Sequence, residues 1–158
     1  MEVAPAPTLK GVQVKDDLKR ALESAVVKEV EAEAFYRSWS ERAKDPGVKK
    51  LFSELAVWEH EHAEKLSRIT PDELIAQGQA PQDLKISDLL VDVKARPDMT
   101  LLEALAVAIK REQAAASLYE GMAMLGGPAR ELFSALAEEE RRHKRLLENE
   151  YDDLPTEN

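Results

Sequence analysis

LFSELAVWEHEHAEKL at residues 51–66 and LFSALAEEERRHKRLL at 132–147 are two copies of one helical segment, with Leu, Phe, Ser, Leu, Ala, Glu and His coinciding at a constant offset of 81. Steps of three and four residues trace an apolar seam through each copy, the period of one face of an α-helix. In the first the seam is Val48, Phe52, Leu55, Glu59, His62, Leu66, Ile69, and in the second Ala129, Phe133, Leu136, Glu140, His143, Leu147. Each seam is broken at the same place by a glutamate and, three residues later, a histidine. A lone inward glutamate is usually a core residue hydrogen-bonded to its neighbours. The same interruption at duplicated positions needs another cause.

The segments upstream of each copy are related in the same way. Residues 18–43 run Leu18, Leu22, Ala25, Glu29, Ala32, Tyr36, Trp39, Ala43 along their apolar face, and 101–122 run Leu101, Leu105, Ala108, Glu112, Ala115, Tyr119, Met122. An offset of 83 pairs Glu29 with Glu112 and Tyr36 with Tyr119. Trp39 and Met122 read as packing, whereas the two tyrosines are either seam-filling aromatics or donors to the glutamates, because a buried phenol usually finds a partner. The chain is thus a duplicated helical hairpin with approximate two-fold symmetry. Four carboxylates and two imidazoles point inward, where each uncompensated charge would cost several kcal/mol, so positive charge must sit among them.

Local signals set the connections. Asp45-Pro46-Gly47 ends the first helix and opens the second, since proline cannot continue a helix but fits an opening turn. Gly126-Gly127-Pro128 does the same between the third and fourth, glycine supplying the left-handed conformation. Both links are short, so each hairpin is antiparallel. The stretch from about 70 to 98 contains Pro71, Pro81 and Pro97 and reads as one long crossover. It includes a short helix from Pro71 to about Gln77, capped by Thr70 with Glu73 reaching back, and Thr100 with Glu103 forms a second capping box. Residues 1–15 read as a flexible arm, with Asp16 or Asp17 as N-cap of the first helix, residues 16–151 as the bundle and 152–158 as a polar tail. The fold class is all-α, a four-helix bundle.

Composition narrows the function. A net charge of −9 argues against nucleic acid, whose binding rests on Lys and Arg meeting phosphates, and against a basic membrane anchor. There is no cysteine, which excludes a thiol nucleophile, an iron–sulfur site and Cys-ligated zinc within this chain. Neither an export leader nor a run long enough to span a bilayer is evident, so the expected compartment is the cytoplasm.

Residues three apart share a helix face, so Glu59 with His62 and Glu140 with His143 can each offer an oxygen and a nitrogen to one point. Glu-x-x-His from two helices plus a Glu from each of two others is the donor pattern of a dinuclear carboxylate site in a helical bundle. With Glu29 seven residues before Tyr36, and Glu59-His60-Glu61-His62-Ala63, the chain resembles the ferritin-like di-iron superfamily, and most of all its rubrerythrin branch, over roughly residues 18–150. The resemblance implies a ferritin-like fold in which Glu29 and Glu112 are terminal ligands, Glu59 and Glu140 bridge two metals, and His62 and His143 complete the set. Tyr36 and Tyr119 would hydrogen-bond the terminal glutamates. Two iron ions are the implied cofactor, with manganese an alternative and zinc an adventitious occupant.

Three departures shape the functional expectation. Ala115 stands where rubrerythrins carry a further site glutamate, which counts against their ligand-exchange peroxidase mechanism. A Cys-ligated rubredoxin-type domain is missing, so electrons would come from a separate protein or from ferrous iron itself. His60, off the seam and expected at the surface, replaces the haem-binding methionine of bacterioferritin. The Glu138-Glu139-Glu140-Arg141-Arg142 run is expected to be a solvated face with Glu140 alone turned inward. The expected activity is reaction with O2 or hydrogen peroxide, as a peroxidase, oxidase or ferroxidase. The alternatives are an iron-binding or iron-delivery protein without turnover, and a metal-free interaction bundle. A homodimer is implied by resemblance alone.

Overall fold

The computed structural model describes residues 9–75 and 89–155, with side chains from Gln13 onward. All regular structure among them is helical: α1 Leu9–Arg42, α2 Pro46–Ser67, a single turn α3 Pro71–Leu74, α4 Leu101–Ala123 and α5 Gly127–Asp153. No helix among the described residues is long and apolar enough to cross a membrane.

The link between α1 and α2 forms as its sequence dictates. The Asp45 carboxylate accepts hydrogen bonds from the backbone N–H groups of Gly47 (2.8 Å) and Val48 (3.0 Å), satisfying two donors that an opening turn leaves orphaned. Between α4 and α5 the backbone takes φ of 75° at Gly126 and 54° at Gly127, values that strain residues with a Cβ. Thr100 Oγ1 accepts from Glu103 N–H at 3.2 Å, but the Glu103 carboxylate turns to Arg96 instead, 2.7 Å away. In α3 the Thr70 N–H reaches Glu73 Oε2 at 3.5 Å, and the helical turn ends at Leu74. The expected extension toward Gln77 lies outside the described residues.

The start of α1 differs from expectation. The helix begins at Leu9, so residues 9–15 belong to it and not to an arm, and Asp16 and Asp17 lie inside it rather than capping it. Val14 supplies the reason: it continues the buried face by one turn before Leu18 and packs with Leu22, Leu66, Leu74 and Met122. At the other terminus α5 runs through Asp153, into the stretch expected to be tail.

Two apolar clusters hold the four long helices together. One gathers Leu18, Leu22 and Ala25 of α1 with Leu66 of α2, Leu118 and Met122 of α4, and Phe133 and Leu136 of α5. The other gathers Tyr36 and Trp39 with Phe52, Leu55, Met99, Leu105, Ala108 and Leu147. Each fully buried Leu or Phe contributes about 1.5–3 kcal/mol, so the clusters fix the helix register from both ends. Because the start of α1 meets the end of α4, these helices are antiparallel. The start of α2 meets the start of α4, so these two helices are parallel. Between the clusters lies a polar layer.

Candidate metal centre

Four helices supply that layer: Glu29 from α1, Glu59 and His62 from α2, Glu112 from α4, Glu140 and His143 from α5. None of the six is more than 3 % exposed, and they are all of the buried charged or polar residues among those described. The predicted donor set therefore converges without omission or addition.

The contacts run between hairpins. His62 Nδ1 lies 2.8 Å from Glu140 Oε1, and His143 Nδ1 lies 2.9 Å from Glu59 Oε1. The Tyr36 hydroxyl donates to Glu112 Oε1 at 2.6 Å, while the Tyr119 hydroxyl donates to Glu29 Oε1. Each bond joins a residue of the first hairpin to one of the second, so docking the duplicated halves creates the site. Glu29 and Glu112 each have one oxygen held by a tyrosine and the other facing the centre: Glu29 Oε2 is 3.8 Å from His62 Nδ1, and Glu112 Oε2 is 3.7 Å from His143 Nδ1. The tyrosines are thus donors to the glutamates as well as packed aromatics. The imidazoles stack on one another, their centroids 5.5 Å apart.

Electrostatics shows what the cluster lacks. Burial, then repulsion from Glu59, holds the Glu29 carboxyl well above the usual range. Burial, then the charge on Glu112, does the same to Glu59 and Glu140. Burial also pushes Glu112 upward, but the closeness of the Glu140 carboxyl and the His143 imidazole, the His143 charge and the Tyr36 hydroxyl outweigh it and bring its carboxyl down to about 2. Three of the four carboxyls are pushed toward the protonated form by burial and by one another, and the fourth toward the charged form; groups this close titrate as a coupled set. Burial, then the neighbouring Glu112 or Glu29 charge, keeps the Tyr36 and Tyr119 hydroxyls protonated, as donors.

A pair of cations fits what remains unsatisfied. Among the described residues, Glu59 Oε2 and Glu140 Oε2 are the buried side-chain polar atoms without a hydrogen-bond partner, on the two residues for which bridging roles are expected. Two overlapping groups, Glu29–Glu59–His62–Glu140 and Glu59–Glu112–Glu140–His143, each bring four donor atoms within 4.8 Å of one another and could hold a metal ion. Glu59 and Glu140 belong to both. Three carboxylates and one imidazole per group form an oxygen-rich set suited to iron or manganese.

Two neighbours of the site fall outside the expected pattern. Glu139, expected on a solvated face, turns far enough inward for its carboxylate to meet His62 Nε2. This leaves Nδ1 facing the centre and gives the ring a carboxylate partner that fixes its orientation. The residue at the equivalent position of the first copy is Trp58, whose ring stacks on His143 with centroids 5.1 Å apart and planes 13° from parallel. The two-fold symmetry is broken just outside the donors. His60 is at the surface as expected, 3.1 Å from Glu33 and 3.2 Å from Glu64.

Comparison with known proteins agrees with this geometry. The rubrerythrin family model matches residues 20–151. Among solved structures, a Thermotoga maritima protein described as of the ferritin-like diiron-carboxylate class superposes with a TM-score of 0.64 and 26% identity, over 84% of this chain and 93% of that one. No curated protein matches. The family match spans all six converging donors and both tyrosines that brace them: the chain belongs to the rubrerythrin family.

Proposed function

We propose that this chain is a dinuclear, di-iron carboxylate oxidoreductase that reduces O2 or hydrogen peroxide, with electrons from ferrous iron as substrate or from a separate donor protein. The observation that carries the reading is the pair of buried, unpartnered oxygens on Glu59 and Glu140, the two residues common to both donor groups. Two ferrous ions, when bound, supply the two electrons that the reduction consumes. Glu59 and Glu140 would bridge the ions, with Glu29 and His62 completing one set and Glu112 and His143 the other. The protein then has three tasks. Tyr119 and Tyr36 each hold one oxygen of a terminal glutamate and leave its second oxygen free to ligate. Glu139 orients the His62 ring. The apolar clusters at both ends exclude water and make every charge interaction in the layer stronger than it would be in solvent. The same reading places the chain in the cytoplasm and includes pairing with a second copy.

Repeated aerobic turnover tests this function. Protein loaded with two ferrous ions per chain and supplied with excess ferrous iron or a reductant should consume O2 or hydrogen peroxide over many cycles. A single oxidation, stoichiometric with bound iron and never repeated, would establish an iron-binding protein instead.

A further inference from the structure

A roofed cavity of about 50 Å³ lies between α1 and α4, with Glu59 and Glu140 at its floor and Ala32 and Ala115 in its walls. Glu29 and Glu112 also line it, and Ala32 and Ala115 follow them by three residues on the same helix faces. The roof is the end of the crossover, residues 89–93, pinned at three points. Lys28 Nζ donates to the Val91 carbonyl at 2.8 Å and Arg111 Nε to the Val93 carbonyl at 2.9 Å, tying the roof to α1 and to α4. The third point is Leu89, whose side chain sits so close over Gly121 that a Cβ there would collide with Leu89 Cδ1.

We infer that this roof, seated by Leu89 on Gly121, is the size filter of the site and admits molecules of two or three heavy atoms while excluding bulky organic ones. One water needs on the order of 10–15 Å³ on the same measure, so the cavity holds a few water-sized centres and no aromatic ring. Hydrogen peroxide and O2 enter, whereas bulky organic hydroperoxides do not. The inference rests on the function proposed above for the identity of the oxidant, though not for the size limit.

Hydrogen peroxide and cumene hydroperoxide each take two electrons and two protons. The first gives two waters, the second cumyl alcohol and water, so the contrast between them is mainly one of size. In single-turnover stopped flow of the ferrous-loaded chain, cumene hydroperoxide should oxidise the iron at least about a hundredfold more slowly than hydrogen peroxide. Leu89→Ala should narrow that ratio by about tenfold or more, and Gly121→Ala, which pushes Leu89 off its seat without emptying the core, should narrow it in the same direction. A second readout needs no turnover. In the full chain as purified, xenon should shift the methyl resonances of Ala32 and Ala115 in wild type and both variants, and benzene should shift them only in the variants. Equal oxidation by both peroxides in wild type, or benzene reaching those methyls beneath an intact roof, would overturn the size filter. Failure of both hydrogen peroxide and O2 to oxidise the ferrous-loaded protein would refute the proposed function, and the benzene result would still decide the filter.

Discussion

Glu59→Leu separates a metal centre from a structural core, because the two predict opposite changes. Glu59 is 1 % exposed, its Oε2 has no hydrogen-bond partner among the described residues, and burial pushes its carboxyl well above the usual range. Exchanging a neutral carboxyl with an unbonded buried oxygen for an apolar side chain of similar size removes a desolvation cost of about 1–3 kcal/mol. The offset is the loss of its contact with His143 Nδ1 at 2.9 Å, worth about 1 kcal/mol. The ion-free variant should therefore be as stable as wild type or more so. With ions the order reverses. Two sites filled at a hundred times their dissociation constants add about 2.7 kcal/mol each, a total of about 5 kcal/mol, or roughly 10–20 °C in Tm for a domain of this size. Glu59→Leu removes a donor common to both sites and should lose most of that increment. Calorimetric melting of both proteins, chelated and then loaded with ferrous iron under anaerobic conditions, measures all four quantities. A variant that is destabilised by about 3 kcal/mol or more without ions, beside a wild type that ions leave unmoved, would refute the reasoning.

Other perturbations probe single parts of the account. Tyr119→Phe removes the donor to Glu29 Oε1 and should cost about 1–3 kcal/mol in urea denaturation; no change would mean that the phenol only fills space. Glu139→Ala should weaken the tighter of two ferrous binding steps by about 10–100-fold while leaving the ion-free melting temperature close to wild type, since the side chain is half-exposed. The pH dependence follows from the direction of each shift. Glu29, Glu59 and Glu140 have folded pKa values above their unfolded ones, so their contribution to ion-free stability is present below the ordinary carboxyl range and declines as pH rises toward the shifted values. Glu112, lowered to about 2, contributes in the opposite sense and loses its contribution only as pH falls toward that value. Ion binding at neutral pH should accordingly expel protons from the three raised carboxyls, measurable as a buffer-dependent heat in titration calorimetry. A heat independent of buffer would contradict this.

The long helices and the convergence of the six buried polar side chains were legible because they depend on periodicity, and a buried stripe leaves a period that composition cannot hide. Duplication strengthened the signal, since Glu59–His62 and Glu140–His143 each vouch for the other. The start of α1 was harder to read. Asp16 and Asp17 look like caps, but capping is a local preference worth about 1 kcal/mol, and burying Val14 on the continuing face outweighs it. Glu139 was hidden in a run of three glutamates, of which only Glu140 is in phase with the seam. A signal did exist, because comparing the copies sets Trp58 against Glu139 directly beside a donor, where a strict repeat would match. The crosswise pairing of tyrosines with glutamates and of imidazoles with opposite carboxylates depends on helix rotation, which one-dimensional spacing does not specify. The roof at 89–93 carries no period, and its place over the cavity comes from backbone carbonyls that any sequence possesses.

The most direct test of the central claim is a crystal structure of the protein loaded anaerobically with ferrous iron, with anomalous data collected at the iron edge. Two peaks are expected within the polar layer, roughly 3.5–4 Å apart as in known two-metal centres, both touching carboxylate oxygens of Glu59 and Glu140 and each touching one Nδ1. A map with no peak there, the six side chains still bonded to one another as they are without ions, would contradict the account.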